Sequence, residues 1–174
     1  MKGTGAPLFL LEIGCEEIPD WMIVPALEFL KREFEALAQK ERLGTPVFSP
    51  PLLGTPRRLS LLAAGFRLRQ EDREVEAKGP RVEAAYDSDG KPTRALEGFA
   101  RAQGADPGEI RRVMTPKGEC VAARRRVEGR SAAEVLSEAI PAIVGSIPFG
   151  KTMKWGEGSF RFARPIHWIV CLLG

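Results

Sequence analysis

The sequence predicts an α+β fold in which a mixed or antiparallel sheet packs against a few helices. Short apolar runs that glycine or proline interrupts have the length and composition of buried strands. Two longer segments repeat apolar residues at helical spacing, and turn signals separate charged arms between them. These patterns alternate irregularly and lack the regular strand–helix–strand units of a parallel sheet, which favours the α+β class.

In the first half of the chain, glycine and proline residues set most of the predicted boundaries. The expected elements are, in order, a strand at residues 8–13 broken by Gly14, a helix with Pro25 in its first turn and Gly44 as its C-terminal cap, a strand opening at 47–48, a proline-rich loop, and a buried strand at 59–66. The helix is amphipathic because Leu27, Leu30 and Phe34 recur at helical spacing.

The second half contains turn and cap signals between shorter elements. The expected elements are, in order, a charged edge strand or connection at 67–79, an Asp-Gly turn at 89–90, a helix at 94–104 capped by Thr93, a helical turn at 106–110, a hairpin arm turning at Lys117-Gly118, and a helix that Pro148 and Gly150 end. Ser131 and Glu134 form a capping box that starts this last helix, and Pro141 is expected to kink it.

The segment FRFARPIHW is predicted to form a single strand at residues 160–168. Its period of two places Arg164 on the same face as Phe162 and Trp168. A cation among apolar residues needs an anionic partner, either a carboxylate or a phosphate. The apolar run at 169–174 that follows has the pattern of a core strand. We therefore expect the chain to be the front piece of a longer polypeptide, cut at its C-terminal edge.

The composition is that of an ordinary folded protein. Of the 174 residues, 44% are hydrophobic and 28% are charged, and the formal net charge is +3. Three widely separated cysteines argue against a disulfide framework or a zinc site and are expected to be small buried hydrophobes. No apolar stretch reaches the length of a membrane span, which favours a cytoplasmic protein without membrane contact. We expect residues 1–6 to be a disordered leader and residues 7–174 to form a single α+β region.

Cations alternate with aromatic residues in the last third of the chain, as in surfaces that hold a phosphate backbone and stack on bases. A second cationic pair follows the proline-rich loop. The candidate nucleic-acid contacts are Arg57, Arg58, Lys151, Lys154, Arg161 and Arg164, with Trp155 as the stacking residue because glycine flanks it in a loop. The alternative is that the aromatic residues belong to the core and that acidic neighbours satisfy the cations.

Other motifs do not supply a catalytic or metal site. Glu16 and Glu17 form an acidic pair, but adjacent side chains of an extended segment point in different directions. The arginine run at 124–126 is expected on a solvated hairpin, with a nucleic-acid patch as the alternative. Gly-Lys-Thr at 150–152 lacks the upstream glycine loop and the following apolar helix of a nucleotide-binding loop. His167 is the only histidine and has no second base for catalysis.

Five segments together resemble the N-terminal end of the beta subunit of bacterial heterotetrameric glycyl-tRNA synthetase. They are LLEIGCEEIP at 10–19, GTPRRLSLL at 54–62, residues 78–104, TPKGE at 115–119, and KTMKWG through FRFARPIHWIV at 151–170. They occur in the family's order and span nearly the whole chain. Cys15 stands where a threonine is usual in that family.

The resemblance implies an α2β2 ligase that joins glycine to tRNA(Gly) with ATP. The alpha subunit of such an enzyme holds the class II catalytic core, so ATP and Mg²⁺ are expected there and no cofactor is expected in this fragment. The beta subunit contributes tRNA recognition and assembly. We therefore expect this segment to be non-catalytic alone and to contact tRNA phosphates. The alternatives are a purely structural protein–protein module and an editing-type hydrolase domain.

Overall fold

The structure is a computed structural model that describes residues 7–116 and 118–174. The predicted leader at 1–6 and Lys117 of the predicted turn lie outside the described residues. The elements are, in order, β1 (Leu8–Cys15), α1 (Asp20–Lys40), β2 (Gly44–Phe48), β3 (Leu53–Thr55), β4 (Arg58–Phe66), β5 (Arg73–Arg81), α2 (Val82–Ala85), α3 (Arg94–Gln103), a 3-10 turn (Pro107–Glu109), β6 (Arg111–Thr115), β7 (Gly118–Val127), α4 (Ala132–Gly145), β8 (Met153–Lys154), β9 (Arg161–Phe162) and β10 (Ile166–Leu173). Helices and antiparallel sheets confirm the predicted α+β class.

The described chain divides into two compact units. The first unit comprises residues 7–71 and Arg130–Gly174, and the second comprises Asp72–Gly129. The prediction of a single region over residues 7–174 stays a prediction. In the first unit, the main sheet has the strand order β10-β1-β4-β2, with β3 also paired to β4, and every pairing is antiparallel.

The core of the first unit lies between this sheet and the amphipathic helix α1. Alternate residues of β1, including Phe9, are fully buried, as the period of a strand with one covered face requires. The Phe9 ring packs against Phe34 of α1 at a centroid distance of 5.2 Å and against Phe66 of β4 at 4.7 Å. These apolar contacts fix the position of β1, and hence of the segment that follows it.

Both long helices have limits that differ from their predicted limits. Helix α1 begins at Asp20, before Pro25, and Gly44 is the first residue of β2 rather than the helix cap. Helix α4 begins directly after Ser131, its N-cap, and the predicted capping box is present: Ser131 and Glu134 satisfy each other's backbone N–H groups. It ends at Gly145, before either predicted breaker, and the kink at Pro141 stays a prediction.

The predicted strand at 160–168 is wrong because the chain bends between two strands. Strand β9 ends at Phe162 and β10 begins at Ile166. Pro165 lies in this bend, where it has no N–H to give to a ladder. Arg164 lies in this bend and is exposed, so it does not share one strand face with Phe162 and Trp168.

Strand β10 is an edge strand of the main sheet rather than the buried core strand that its composition predicted. Trp168, Ile169 and Leu172 have exposed fractions of 42%, 43% and 58%. Cys171 is also exposed, which corrects the expectation that all three cysteines are buried, whereas Cys15 and Cys120 are buried.

The second unit contains the three-stranded sheet β5-β7-β6 and the helices α2 and α3. Its small core contains Ala85, Leu96 and Val121. The predicted charged edge strand is β5, and the predicted hairpin is the antiparallel pair β6–β7. The arginine run lies on β7, where Arg126 pairs with Asp72 at 2.7 Å. Among the helices of the described ranges, none combines the length and the apolar character that crossing a membrane requires.

Candidate nucleic-acid interface

Three segments that are distant in sequence meet at one end of the main sheet. The acidic pair follows the end of β1, the predicted arginine pair lies at the start of β4, and Ile-His-Trp begins β10. Backbone hydrogen bonds join them: the Cys15 N–H donates to Arg57 O at 3.1 Å, and the Glu16 N–H donates to Pro165 O at 3.0 Å. The sheet register therefore assembles this acidic–basic end, which comprises Glu12, Glu16, Glu17, Arg57, Arg58, Arg164, His167 and Trp168.

Glycine at position 14 gives this end its shape. Gly14 pairs with Trp168 across β1 and β10, and a Cβ atom at position 14 would lie 2.0 Å from the indole Cε2. The indole therefore lies directly against the glycine backbone, an approach that only glycine permits. Trp168 Nε1 donates to Glu12 Oε1 at 3.0 Å, and Arg58 Nε lies 3.5 Å from the other oxygen of this carboxylate. The Glu12 carboxylate thus binds both the Trp168 indole and the Arg58 guanidinium.

Glu16 accepts a hydrogen bond from His167 Nε2 at 2.8 Å. This bond is the main reason that the pKa of Glu16 lies below its ordinary value. The positive charges of Arg57 and Arg164 lower that pKa further, against an opposing effect of desolvation. The pKa of the neighbouring Cys15 thiol is raised to about 11, first by burial and then by the charge of Glu16. Cys15 therefore stays a protonated thiol near neutral pH.

The two predicted arginines are both paired with acids. Arg57 Nη2 lies 3.2 Å from Glu17 Oε1, and Arg58 pairs with Glu12 as described. All four side chains remain at least partly accessible, with exposed fractions of 65% and 53% for the arginines. Arg164 is bonded differently, because its Nε donates to the Glu17 backbone carbonyl at 2.9 Å. Its guanidinium is thus oriented by a neutral oxygen.

The β8–β9 hairpin carries the other predicted cations. Arg161 donates through Nη2 to Thr152 O at 2.7 Å, which is again a neutral oxygen. Lys151 and Lys154 are exposed, and the structure gives them no ion pair with any acidic side chain of residues 7–116 and 118–174. We call these three residues and Arg164, which follows β9, the hairpin cations: Lys151, Lys154, Arg161 and Arg164. Their positive charges project from one short stretch of chain.

Aromatic residues pack this hairpin against the hydrophobic core of the first unit. Phe162 is 1% exposed and meets the Phe149 ring edge-on at a centroid distance of 4.9 Å. Trp155 packs against the same core, and its Nε1 donates to Phe162 O at 3.1 Å. Its indole is half-buried rather than presented on a free loop. The stacking role of Trp155 stays a prediction.

An open cavity of about 410 Å³ lies beside the hairpin. Trp21, Met22, Met153 and Ala163 form its apolar lining, and Lys151 and Arg164 place cations at it. Sequence reasoning missed Trp21, because the predicted helix began near Pro25 and left position 21 in a turn. Helix α1 begins at Asp20, and its helical spacing places Trp21 outside the row of buried residues. This spacing is the sequence signal that could have identified Trp21 as an exposed aromatic residue.

The arrangement suits electrostatic contact better than acid–base or metal chemistry. Glu16 and Glu17 bind different side chains, those of His167 and Arg57, and are not paired with each other. In the part of the chain that the structure describes, no three His, Cys, Asp or Glu side chains group so as to hold a metal ion. Exposed lysine and arginine side chains that carry no carboxylate partner are the usual contacts of phosphate groups.

Comparison with known proteins identifies the family. Residues 9–174 match the family model described as the glycyl-tRNA synthetase beta subunit. The chain is 47% identical over 166 residues to the glycine–tRNA ligase beta subunit of Citrifermentans bemidjiense and 49% identical over 164 residues to that of Geobacter metallireducens. Each match covers 93% of this chain but only 23% of the relative. The chain belongs to the family of glycyl-tRNA synthetase beta subunits.

Proposed function

We propose that this chain is the N-terminal region of a glycine–tRNA ligase beta subunit and that it binds tRNA phosphates. In this role it supports the ATP-dependent attachment of glycine to tRNA(Gly) in the cytoplasm, within an α2β2 enzyme. ATP and Mg²⁺ are bound by the alpha subunit, and this region performs no chemical step. Its contribution is to position the tRNA and to assemble the subunits.

The observation that carries this proposal is the bonding of the hairpin cations. Lys151 and Lys154 make no ion pair with a described acid, and Arg161 donates to the backbone oxygen of Thr152. Their charges therefore remain available for an anionic partner. A polyanion such as tRNA gains affinity from such contacts because each neutralised phosphate releases counterions. These contacts position the RNA and carry no base code.

We include Arg57 and Arg58 in the same tRNA-binding surface and expect each to contribute less to tRNA affinity than the hairpin cations do. Each must exchange a carboxylate at 3.2 Å or 3.5 Å for a phosphate, and the released acid then repels the RNA. This pairing favours a second candidate function for the acidic–basic end, which is a structural module whose cations and acids hold three segments together. Trp155 remains in the proposal as a stacking residue at the edge of the hairpin.

The state of Cys15 supports a non-catalytic role. Its pKa of about 11 keeps the thiol protonated near neutral pH, so it is a poor nucleophile for an editing reaction. Glu16, which is next to it, is already held by His167. The acidic–basic end thus offers bonded side chains in place of a free nucleophile and base.

The proposal is tested by the charging kinetics of the assembled alpha–beta enzyme that contains the double variant Lys151→Ala and Lys154→Ala. We expect KM for tRNA to rise roughly 2- to 30-fold, because each of the two exposed charge contacts contributes about 0.2–1 kcal/mol. We expect tRNA-independent activation of glycine with ATP to be unchanged. The matched control removes Lys31 and Lys40, which lie 3.9 Å from Glu35 and Glu41. An unchanged KM for tRNA in the hairpin variant would favour the structural module.

A further inference from the structure

The cavity beside the hairpin has the features of a site for one flat, negatively charged group. Its volume of about 410 Å³ lies within the range of small-molecule sites. The indole of Trp21 is 65% exposed, and Met153 is 46% exposed on the same lining. The cavity therefore presents accessible apolar surface to solvent.

The charged residues that line the cavity have one sign. Lys151 and Arg164 line it, and no aspartate or glutamate is among its described lining residues. Arg164 uses Nε for the Glu17 carbonyl, which fixes the guanidinium and leaves its two terminal nitrogens for another acceptor. An oriented arginine beside a lysine is well suited to a phosphate group.

The tryptophan suits the base of a nucleotide, and the lysine–arginine pair beside it suits the phosphate. Bases stack on tryptophan with little regard to their identity, and the phosphate occupies the cationic rim. The occupant must be unpaired, because a base within a duplex has no free face to present. The hairpin cations Lys154 and Arg161 pair across β8 and β9 and do not line the cavity, so they offer further positive charge for neighbouring phosphates of the same strand.

We propose that this cavity binds one unpaired nucleotide of tRNA, with its base on Trp21 and its phosphate between Lys151 and Arg164. This inference rests on the proposed function, since it assigns one nucleotide of the tRNA to one place on the same surface. A protein segment with an aromatic residue and a carboxylate is the competing occupant. It enters the test as a contrary outcome.

The first test measures tRNA affinity of the assembled alpha–beta enzyme over a series of salt concentrations. We expect Trp21→Ala to weaken binding by roughly 5- to 100-fold without changing the salt slope, since stacking carries no charge. Trp21→Phe should retain most of the affinity. Val47→Ala is the matched control, because Val47 is also 65% exposed but lies outside the cavity. Thermal unfolding of each variant checks that the fold is intact.

The results separate this inference from the function on which it rests. A steep salt slope in the unaltered enzyme, together with an unaffected Trp21→Ala variant, overturns the nucleotide site and leaves phosphate binding in place. Affinity that does not depend on salt overturns the proposed function itself.

A second test places a benzophenone photo-crosslinking residue at position 21 of the full-length subunit, in the presence of tRNA and the alpha subunit. An adduct to the tRNA supports the nucleotide site. The absence of an RNA adduct overturns it, whether irradiation gives an adduct to a protein chain or none.

Discussion

The indole of Trp168 lies against the backbone of Gly14, where a Cβ atom would be only 2.0 Å from Cε2. This contact joins β1 to β10 at the end of the sheet where the acidic and basic segments meet. It also brings Trp168 Nε1 to Glu12, which in turn pairs with Arg58. The glycine therefore determines how this end of the sheet is arranged.

Replacing Gly14 with alanine should destabilise the protein. The new methyl group overlaps the indole, and the resulting displacement costs about 1–3 kcal/mol of unfolding free energy, as overpacking generally does. Urea denaturation with tryptophan fluorescence measures the loss. Gly158→Ala is the control within the same unit, because the nearest atom to its added Cβ is at 4.0 Å. Equal stability of the two variants would contradict the close contact.

The hydrogen bond between His167 and Glu16 should be visible in a carboxyl titration. Glu16 titrates below its ordinary value of 4.5 in the folded protein, so its stabilising contribution is present above about pH 4.5. That contribution is lost as the pH falls through the lowered pKa. In His167→Ala, NMR titration of the Glu16 carboxyl should show a higher pKa.

Glu138 serves as the internal control for this titration. Its pKa is lowered by the hydrogen bond and charge of Arg130, which the His167 substitution does not touch. An unchanged Glu16 pKa in His167→Ala, with Glu138 also unchanged, would show that the histidine does not hold this carboxylate.

The capping box of α4 predicts a measurable loss of stability. Ser131→Ala removes the hydroxyl that accepts from the Glu134 N–H at 3.2 Å and should cost about 1 kcal/mol. Ser137→Ala is the matched control, since its hydroxyl bonds only to the Glu134 carbonyl within the helix. Alanine has the higher helix propensity, so this control should be neutral or slightly stabilising. Chemical denaturation that ranks the two variants in the opposite order would contradict the cap.

Local signals in the sequence predicted local structure. Ser131 and Glu134 are three residues apart, and their spacing identified the start of α4 because a capping box is complete within one helical turn. The hairpin β6–β7 and the amphipathic α1 were predicted for similar reasons. The limits of several elements were misplaced: β1 continues through Gly14 to Cys15, and α1 and α4 end at residues other than those predicted. Glycine and proline mark stops without specifying the residue at which an element ends.

Contacts between distant segments were not predictable from one sequence. Arg164 and Glu17 are 147 positions apart, and the carbonyl that orients the guanidinium became evident only with the bend between β9 and β10. The period of two assumed that Pro165 continues a strand, whereas a residue without an N–H favours a break. The same limitation hid the contact between Gly14 and Trp168, because nothing in the local pattern pairs β1 with β10.

Acid pairing should reduce the contribution of the arginine pair to tRNA binding. We expect Arg57→Ala to lower the salt slope of binding by less than Lys151→Ala does, because Glu17 already neutralises Arg57. The variant Glu17→Gln should in turn raise affinity by freeing that charge. A loss from Arg57→Ala as large as that from Lys151→Ala would show that the phosphate displaces the carboxylate completely.

The central claim is that the hairpin cations bind phosphates, and the salt dependence of tRNA binding tests it most directly. The plot of log affinity against log salt should become shallower by about 1.4–1.8 in the variant Lys151→Ala with Lys154→Ala, since each of the two lost phosphate contacts removes roughly 0.7–0.9 from the slope. Lys31→Ala with Lys40→Ala removes equal charge from α1 and should leave the slope unchanged. The same decrease in both double variants, or no decrease in either, would contradict the claim.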